Sequence, residues 1–268
     1  MNNTYLILGI LISTFVWMGC QPDENGDNSI NIFTIEDDKL LGQQLAEEIA
    51  NDKETYLILD ESEYSEAYDH LYRIRDEILD SEDVIYKDEF EWETKIIHND
   101  TVLNAFAGPA GYIYVYTGLI KFLDNETDFA GVLAHEIAHA DRRHVTDNLT
   151  TNYGLSLVLG LIFGENENTL SEIAAGLAGL TFSRSKEKEA DDFSVNYLCN
   201  SEWHANGASG FFEKLIEEGE TGSLPAFLST HPNPGNRVED INTKATELMC
   251  ADGDDFLNRY QQFKNSLP

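Results

Sequence analysis

The stretch Val132-Leu133-Ala134-His135-Glu136-Ile137-Ala138-His139-Ala140 carries two histidines four residues apart, with a glutamate directly after the first. In a helix, at about 100° per residue, His135 and His139 share a face one turn apart. Two neutral imidazoles so placed can reach one zinc ion, and Glu136 beside them can act as a base on a water. The chemistry implied is metal-assisted hydrolysis of a peptide bond, provided that the chain supplies a third ligand and leaves a fourth position open.

A third histidine in the spacing H-E-x-x-H-x-x-G-x-x-H is absent, because Arg142 and Val145 stand at the Gly and His positions. His144, five residues beyond His139, points about 140° away if the helix continues, which suits a supporting role behind the ligands rather than ligation. Downstream, Ser183 to Asp192 reads as a second helix with carboxylates at useful spacing. Glu187 and Asp191 share one face, whereas Glu189 lies about 200° round from Glu187. Glu187 is therefore expected as the third ligand, with Asp191 one turn on to accept the free ring N–H of a ligating histidine.

These groups need elements to hold them. Leu40, Leu41, Leu45 and Ile49, then Tyr68, Leu71, Ile74 and Ile78, recur at three- and four-residue steps and predict two amphipathic helices. His70 in the second helix has no companion ligand and belongs to the scaffold. Between about 92 and 116 the period changes to two. Thr94–Ile97, Val102–Phe106 and Tyr112–Tyr116 read as strands of a small antiparallel sheet, separated by turns at Asn99-Asp100 and Gly108–Gly111. Thr117–Leu123 opens a short helix, and Asn125 to Asp128 offers capping chemistry for the helix that bears the histidines. Two apolar stretches, Tyr153–Gly164 and Ile173–Phe182, are each too short to cross a bilayer and read as a Gly- and Ala-rich helical hairpin packed on the catalytic helices. The expected fold class is α+β and mainly helical.

Four blocks together resemble the zinc metallopeptidases of family M48, which include HtpX-type, Oma-type and CAAX prenyl endopeptidases, and most resemble their soluble periplasmic lipoprotein members. The blocks are Asn104 to Ile120, His135 to His139, Ser183 through Glu187 to Asp191, and His231-Pro232-Asn233-Pro234-Gly235-Asn236-Arg237. Ala110 departs from the pattern, since the family usually has Gly after the proline. The resemblance implies a gluzincin-type domain holding one zinc ion per chain. It also implies that the strand through Tyr112, Ile113, Tyr114 and Val115 is an edge along the cleft, where an extended substrate adds as a further strand. His231 and Arg237 are implied near the site as catalytic residues, His231 either stabilising the tetrahedral intermediate or occupying the open metal position in a resting form.

The formal charge is −32, and residues 21 to 100 hold 25 acids against 6 bases. Such an acidic chain does not suit nucleic acid as a partner. Residues 1–19 form an uncharged apolar run closed by Gly19-Cys20, which reads as a signal peptide ending at a lipoprotein processing site with Cys20 lipidated. No Lys or Arg precedes the run, and Trp17 stands where Leu or Val is usual. Residues 20–35 then form a polar tether and residues 36–268 the metallopeptidase domain. Cys199 and Cys250 remain as a pair, either buried thiols or a disulfide whose loop closure is worth about 4 kcal/mol. The expectation is an exported, lipid-anchored endopeptidase of the bacterial periplasm or outer membrane. It would act on misfolded or unassembled envelope polypeptides, with envelope assembly machinery a possible partner. The rival is a zinc-bearing chaperone or assembly factor that cuts little or inhibits itself.

Overall fold

The computed structural model describes residues 31–162, 167–219, 226–232 and 234–268. The stretch expected to be a signal peptide, Cys20 and most of the expected tether lie outside the described residues. The chain enters α1 (Ile35–Asn51) through a capping box in which Thr34 and Asp37 satisfy each other's backbone N–H groups. Helix α2 (Ser65–Leu79) follows, and both helices bury the leucines and isoleucines that the three- and four-residue spacing marks.

Strands β1 (Thr94–Ile97), β2 (Ala105–Ala107) and β3 (Ile113–Tyr116) form one sheet in the order β1-β3-β2. Here the expected antiparallel sheet is corrected. β3 pairs parallel with β1 and antiparallel with β2, so the sheet is mixed. The chain leaves β1, crosses to the far side of the sheet for β2, and returns through a 3-10 turn at Pro109–Gly111 into the gap between them. Alternating hydrophobicity marks these residues as strands but does not encode their lateral order. The same topology overturns the expected edge at Tyr112 to Val115. β3 is central and buried along its whole length, and Tyr112 belongs to the turn before it.

After α3 (Thr117–Phe122), helix α4 (Glu126–Asp141) runs through the middle of the molecule, and nearly every residue in it is buried. Asn125 caps it by accepting from Asp128 N–H. α5 (His144–Ile162) and α6 (Glu167–Gly176) supply the apolar pair expected between 153 and 182, and α6 leads into a 3-10 turn at Leu177–Gly179. Tyr56 ties α6 down by donating to the carbonyl of Ala174 at 3.0 Å. Among the described residues no helix is long and apolar enough to cross a membrane.

α7 (Arg184–Leu198), α8 (Gly207–Gly219), α9 (Ala226–Thr230), α10 (Pro234–Glu247) and α11 (Leu257–Asn265) complete the chain. α4 and α8 meet backbone to backbone. A Cβ on Gly131 would fall 2.0 Å from the Ala208 nitrogen, and one on Gly207 2.2 Å from the Thr127 carbonyl oxygen. Cys199 at the end of α7 and Cys250 beyond α10 form a disulfide that binds these two helices at one end.

Candidate metal centre

α4 and α7 pack against each other and present His135, Glu136 and His139 from one helix and Glu187 and Asp191 from the other, all at most 3% exposed. Ser183 caps α7 by accepting from Lys186 N–H, which sets Glu187 in the first turn, where the helix dipole favours a carboxylate. His231 reaches the same point from the segment after α9, its backbone N–H donating to the Phe227 carbonyl at 2.7 Å.

Four side chains converge. Nε2 of His135 and Nε2 of His139 are 3.0 Å apart, and Nδ1 of His231 stands 3.3 Å from His135 Nε2 and 3.0 Å from Glu187 Oε1. The Glu187 oxygens lie 3.5 Å from His135 Nε2 and 3.7 Å from His139 Nε2. Ligand atoms at zinc-bond lengths in a tetrahedron sit about 3.3–3.5 Å from one another, so this donor set fits zinc in both chemistry and spacing. Glu136 adds a second sign of fit. It is fully buried, both carboxylate oxygens lack a hydrogen-bond partner among the described residues, and His231 Nε2 lies 3.6 Å from one of them. Burial pushes its pKa up, so its oxygens face the cluster as a proton acceptor of raised basicity.

Charges behind the donors fix their orientation. Asp191 lies 3.0 Å from His135 Nδ1, leaving Nε2 to face the cluster. Arg237, over the Phe212 ring, donates to Asp191 through Nε at 2.7 Å and Nη2 at 2.6 Å, and stands 2.9 Å from Glu187 Oε2 through Nη1. Burial raises the pKa of both carboxyls, but their neighbours outweigh it and hold them below their usual range: chiefly the His231 and His135 rings for Glu187 and the Arg237 guanidinium for Asp191. Burial disfavours charge on His135, yet Asp191 and Glu187 outweigh it and push its pKa up to about 9. Burial and the His135 charge press His139 well below the usual histidine range.

His144 departs from its expected direction. α4 stops at Asp141, and Arg143 takes a left-handed φ of 59°, so His144 starts a new helix instead of continuing round the old one. The reversal brings His144 Nδ1 to 2.9 Å from His139 Nδ1. Asp38 of α1 holds the reversal in place by accepting from Arg143 Nε at 2.6 Å and Nη2 at 3.1 Å.

Glu189, the weaker of the two ligand candidates, points away from the cluster. It accepts from Arg142 Nε at 3.0 Å and lies 3.4 Å from His144 Nε2, so it supports His139 through His144. Sequence reasoning missed two aromatic neighbours. Phe182 stacks on His139 with ring centroids 4.0 Å apart, and Phe227 stacks on His231 at 4.2 Å. The position of Phe182, just before the α7 cap, was the available signal for the first.

Ile113, Tyr114 and Val115 lie in the central strand and Tyr112 in the turn before it, so none of them forms a sheet edge. The outer strand on the other side of β3 from β1 is β2, which packs against α4 and the 3-10 turn at Leu177–Gly179. Gly108 N–H donates to Tyr112 and Tyr116 N–H to Asn104, so the residues between, Ala105 and Ala107, turn their peptide groups away from β3.

Residues 69–245 match the model of peptidase family M48. The chain is 33% identical over 162 residues to the putative beta-barrel assembly-enhancing protease of Vibrio cholerae, covering 55% of this chain and 34% of that one. It is 35% identical over 150 residues to the mitochondrial metalloendopeptidase OMA1 of Arabidopsis thaliana, covering 54% and 30% respectively. Metalloprotease YcaL of Escherichia coli is 26% identical over 264 residues, covering 91% of this chain and 98% of its own. The match thus spans about a third of the length of the first two relatives and nearly all of the third.

Proposed function

This chain belongs to peptidase family M48, and from that premise we propose that it is a zinc-dependent endopeptidase acting on misfolded or unassembled polypeptides of the bacterial cell envelope. The observation that carries the reading is the buried meeting of His135, His139 and Glu187 beside Glu136, whose carboxylate has no hydrogen-bond partner among the described residues. Bound zinc supplies Lewis acidity, which makes a water acidic near neutrality and polarises the scissile carbonyl. Glu136 takes the proton of the attacking water and returns it to the leaving amine. Asp191 keeps His135 in one tautomer, His144 does the same for His139, and Arg237 holds Asp191 and Glu187 against rotation.

His231 is read as the fourth donor of a closed state, because Nδ1 lies among the ligand atoms and Nε2 faces Glu136. A substrate must displace it, together with Phe182 over His139. An extended segment would then pair with the outward peptide groups of Ala105 and Ala107 on β2, in place of the strand expected from sequence. The closed arrangement also favours the second reading, a self-inhibited factor that binds envelope proteins and cuts them slowly.

The envelope assignment rests on the name beta-barrel assembly-enhancing protease among the relatives and on the signal-like run ending at Cys20, which this reading lipidates. Glu136→Gln should retain zinc yet lose cleavage of an unfolded outer-membrane protein, read from new termini by mass spectrometry. Undiminished chelator-sensitive cleavage in that variant would sink the assignment. Wild-type zinc protein that binds but never cuts would favour the second reading.

A further inference from the structure

A groove of about 620 Å³ runs along α1, opposite the segment that leads into β1, and shares no residue with the metal centre. One wall is the stripe Glu36, Leu40, Gln43, Glu47 and Ala50, which recurs every three or four residues on a single face of α1. The other wall is Glu91 and Glu93. This second wall is fixed in place. Glu91 N–H donates to the Ala110 carbonyl, Ile113 N–H donates to the Glu93 carbonyl, and Trp92 between them is buried with its carbonyl accepting from Arg75.

Four carboxylates line the groove against one ammonium, that of Lys39, which is already 3.4 Å from Glu36. Glu47 and Glu91 have no ion-pair partner among the described residues. A second, independent feature lies on the floor. Tyr112 is 8% exposed, it lines the groove together with the acids of both walls, and its hydroxyl has no hydrogen-bond partner among the described residues. Burial and the nearby charges of Glu93, Glu91 and Glu47 push its pKa up, so it is a neutral hydroxyl whose oxygen can accept a hydrogen bond from a cation.

We propose that this groove binds an extended, lysine- or arginine-bearing segment of a partner polypeptide, independently of the reading of the metal centre. The carboxylates are spread along the groove: the one group of donor atoms within 4.8 Å of each other among the described residues is that of the metal centre. Separated acids suit a row of side-chain cations better than one divalent ion. From Glu36 to Ala50 the stripe is about 21 Å long, enough for about six extended residues. Leu40, 42% exposed, offers the alkyl stems of lysine or arginine an apolar surface while their charged ends reach the rims.

The test is fluorescence anisotropy of a fluorescein-labelled decapeptide of alternating lysine and serine, titrated with the full chain. The chain carries Glu136→Gln so that hydrolysis does not consume the probe. The combined change Glu47→Gln and Glu91→Gln should weaken Kd about tenfold, and Tyr112→Phe about threefold. The pair Glu239→Gln and Glu247→Gln removes the same charge from exposed positions on α10 and should leave Kd within about twofold. Equal weakening by the two pairs would assign binding to the general field of an acidic chain and overturn the proposal. So would absence of saturable binding, or binding lost when zinc is chelated.

Discussion

Asp191 stands 3.0 Å from Nδ1 of His135 while the same carboxylate grips Arg237 at 2.6 and 2.7 Å. One acid therefore sets the tautomer of a metal-facing imidazole and also neutralises the guanidinium of Arg237, a residue only 6% exposed. Removing its charge should loosen both. Asp191→Asn is expected to lower zinc affinity about 10- to 100-fold, measured by competition with a chromophoric chelator well below the melting temperature. Stability should fall as well, because the buried Arg237 loses its two-pronged Asp191 partner and is left with Glu187 alone. Wild-type zinc affinity in this variant would remove Asp191 from the role given to it.

Glu187 and Glu189 offer a direct contrast on one helix. Glu187 lies among the imidazole nitrogens, whereas Glu189 faces Arg142 and His144. Glu187→Ala should purify with little zinc, while Glu189→Ala should stay close to one ion per chain by elemental analysis. The reverse order would exchange their roles.

Much of this centre was legible because helical periodicity is local. Spacing alone puts Glu187 and Glu189 on different faces of one helix and Asp191 one turn beyond Glu187 on the same face. What the sequence left open depends on where the chain reverses. A continued helix turns His144 away from the other histidines, and nothing in Arg142-Arg143 announces the left-handed residue that reverses it; Asp38, over a hundred positions earlier, supplies the ion pair that holds the reversal. The order of the strands was hidden for a related reason. Tyr112 to Tyr116 alternates as a strand should, yet whether it is central or an edge follows from the return path through Pro109–Gly111.

Asp128, in the first turn of α4, gives a prediction about pH. Burial raises its pKa to about 7, and Asp255, Asp124 and Glu213 add to the rise against the hydrogen bond from Asn125. The folded chain thus holds a proton that the unfolded chain gives up near 3.8. Between those values the folded state binds more protons, so this group's contribution to stability falls as pH rises, and its cost is complete above about 7. Asp128→Asn should therefore stabilise by about 1–2 kcal/mol at pH 8 and by much less at pH 5, allowing for partial solvent screening. Urea unfolding at the two pH values measures this, and a gain independent of pH would refute it.

Ala110 supplies the last prediction, at the residue that departs from the family's usual glycine. It takes φ 56° and ψ 33°, the left-handed region, inside the turn that feeds β3. A Cβ in that conformation meets the neighbouring carbonyl and costs about 1–2 kcal/mol. Glycine removes that cost but gives the unfolded chain about 0.4–1 kcal/mol more entropy to lose. Ala110→Gly should therefore stabilise by about 0.5–1 kcal/mol in urea unfolding. Gly111 answers differently although it also has positive φ, at 85°, because a Cβ there would fall 2.9 Å from Trp92 ring carbons and from its backbone nitrogen. Gly111→Ala adds that overlap to the same backbone cost and should destabilise by more than about 2 kcal/mol. If both substitutions shift stability in the same direction, the turn does not carry the strain assigned to it.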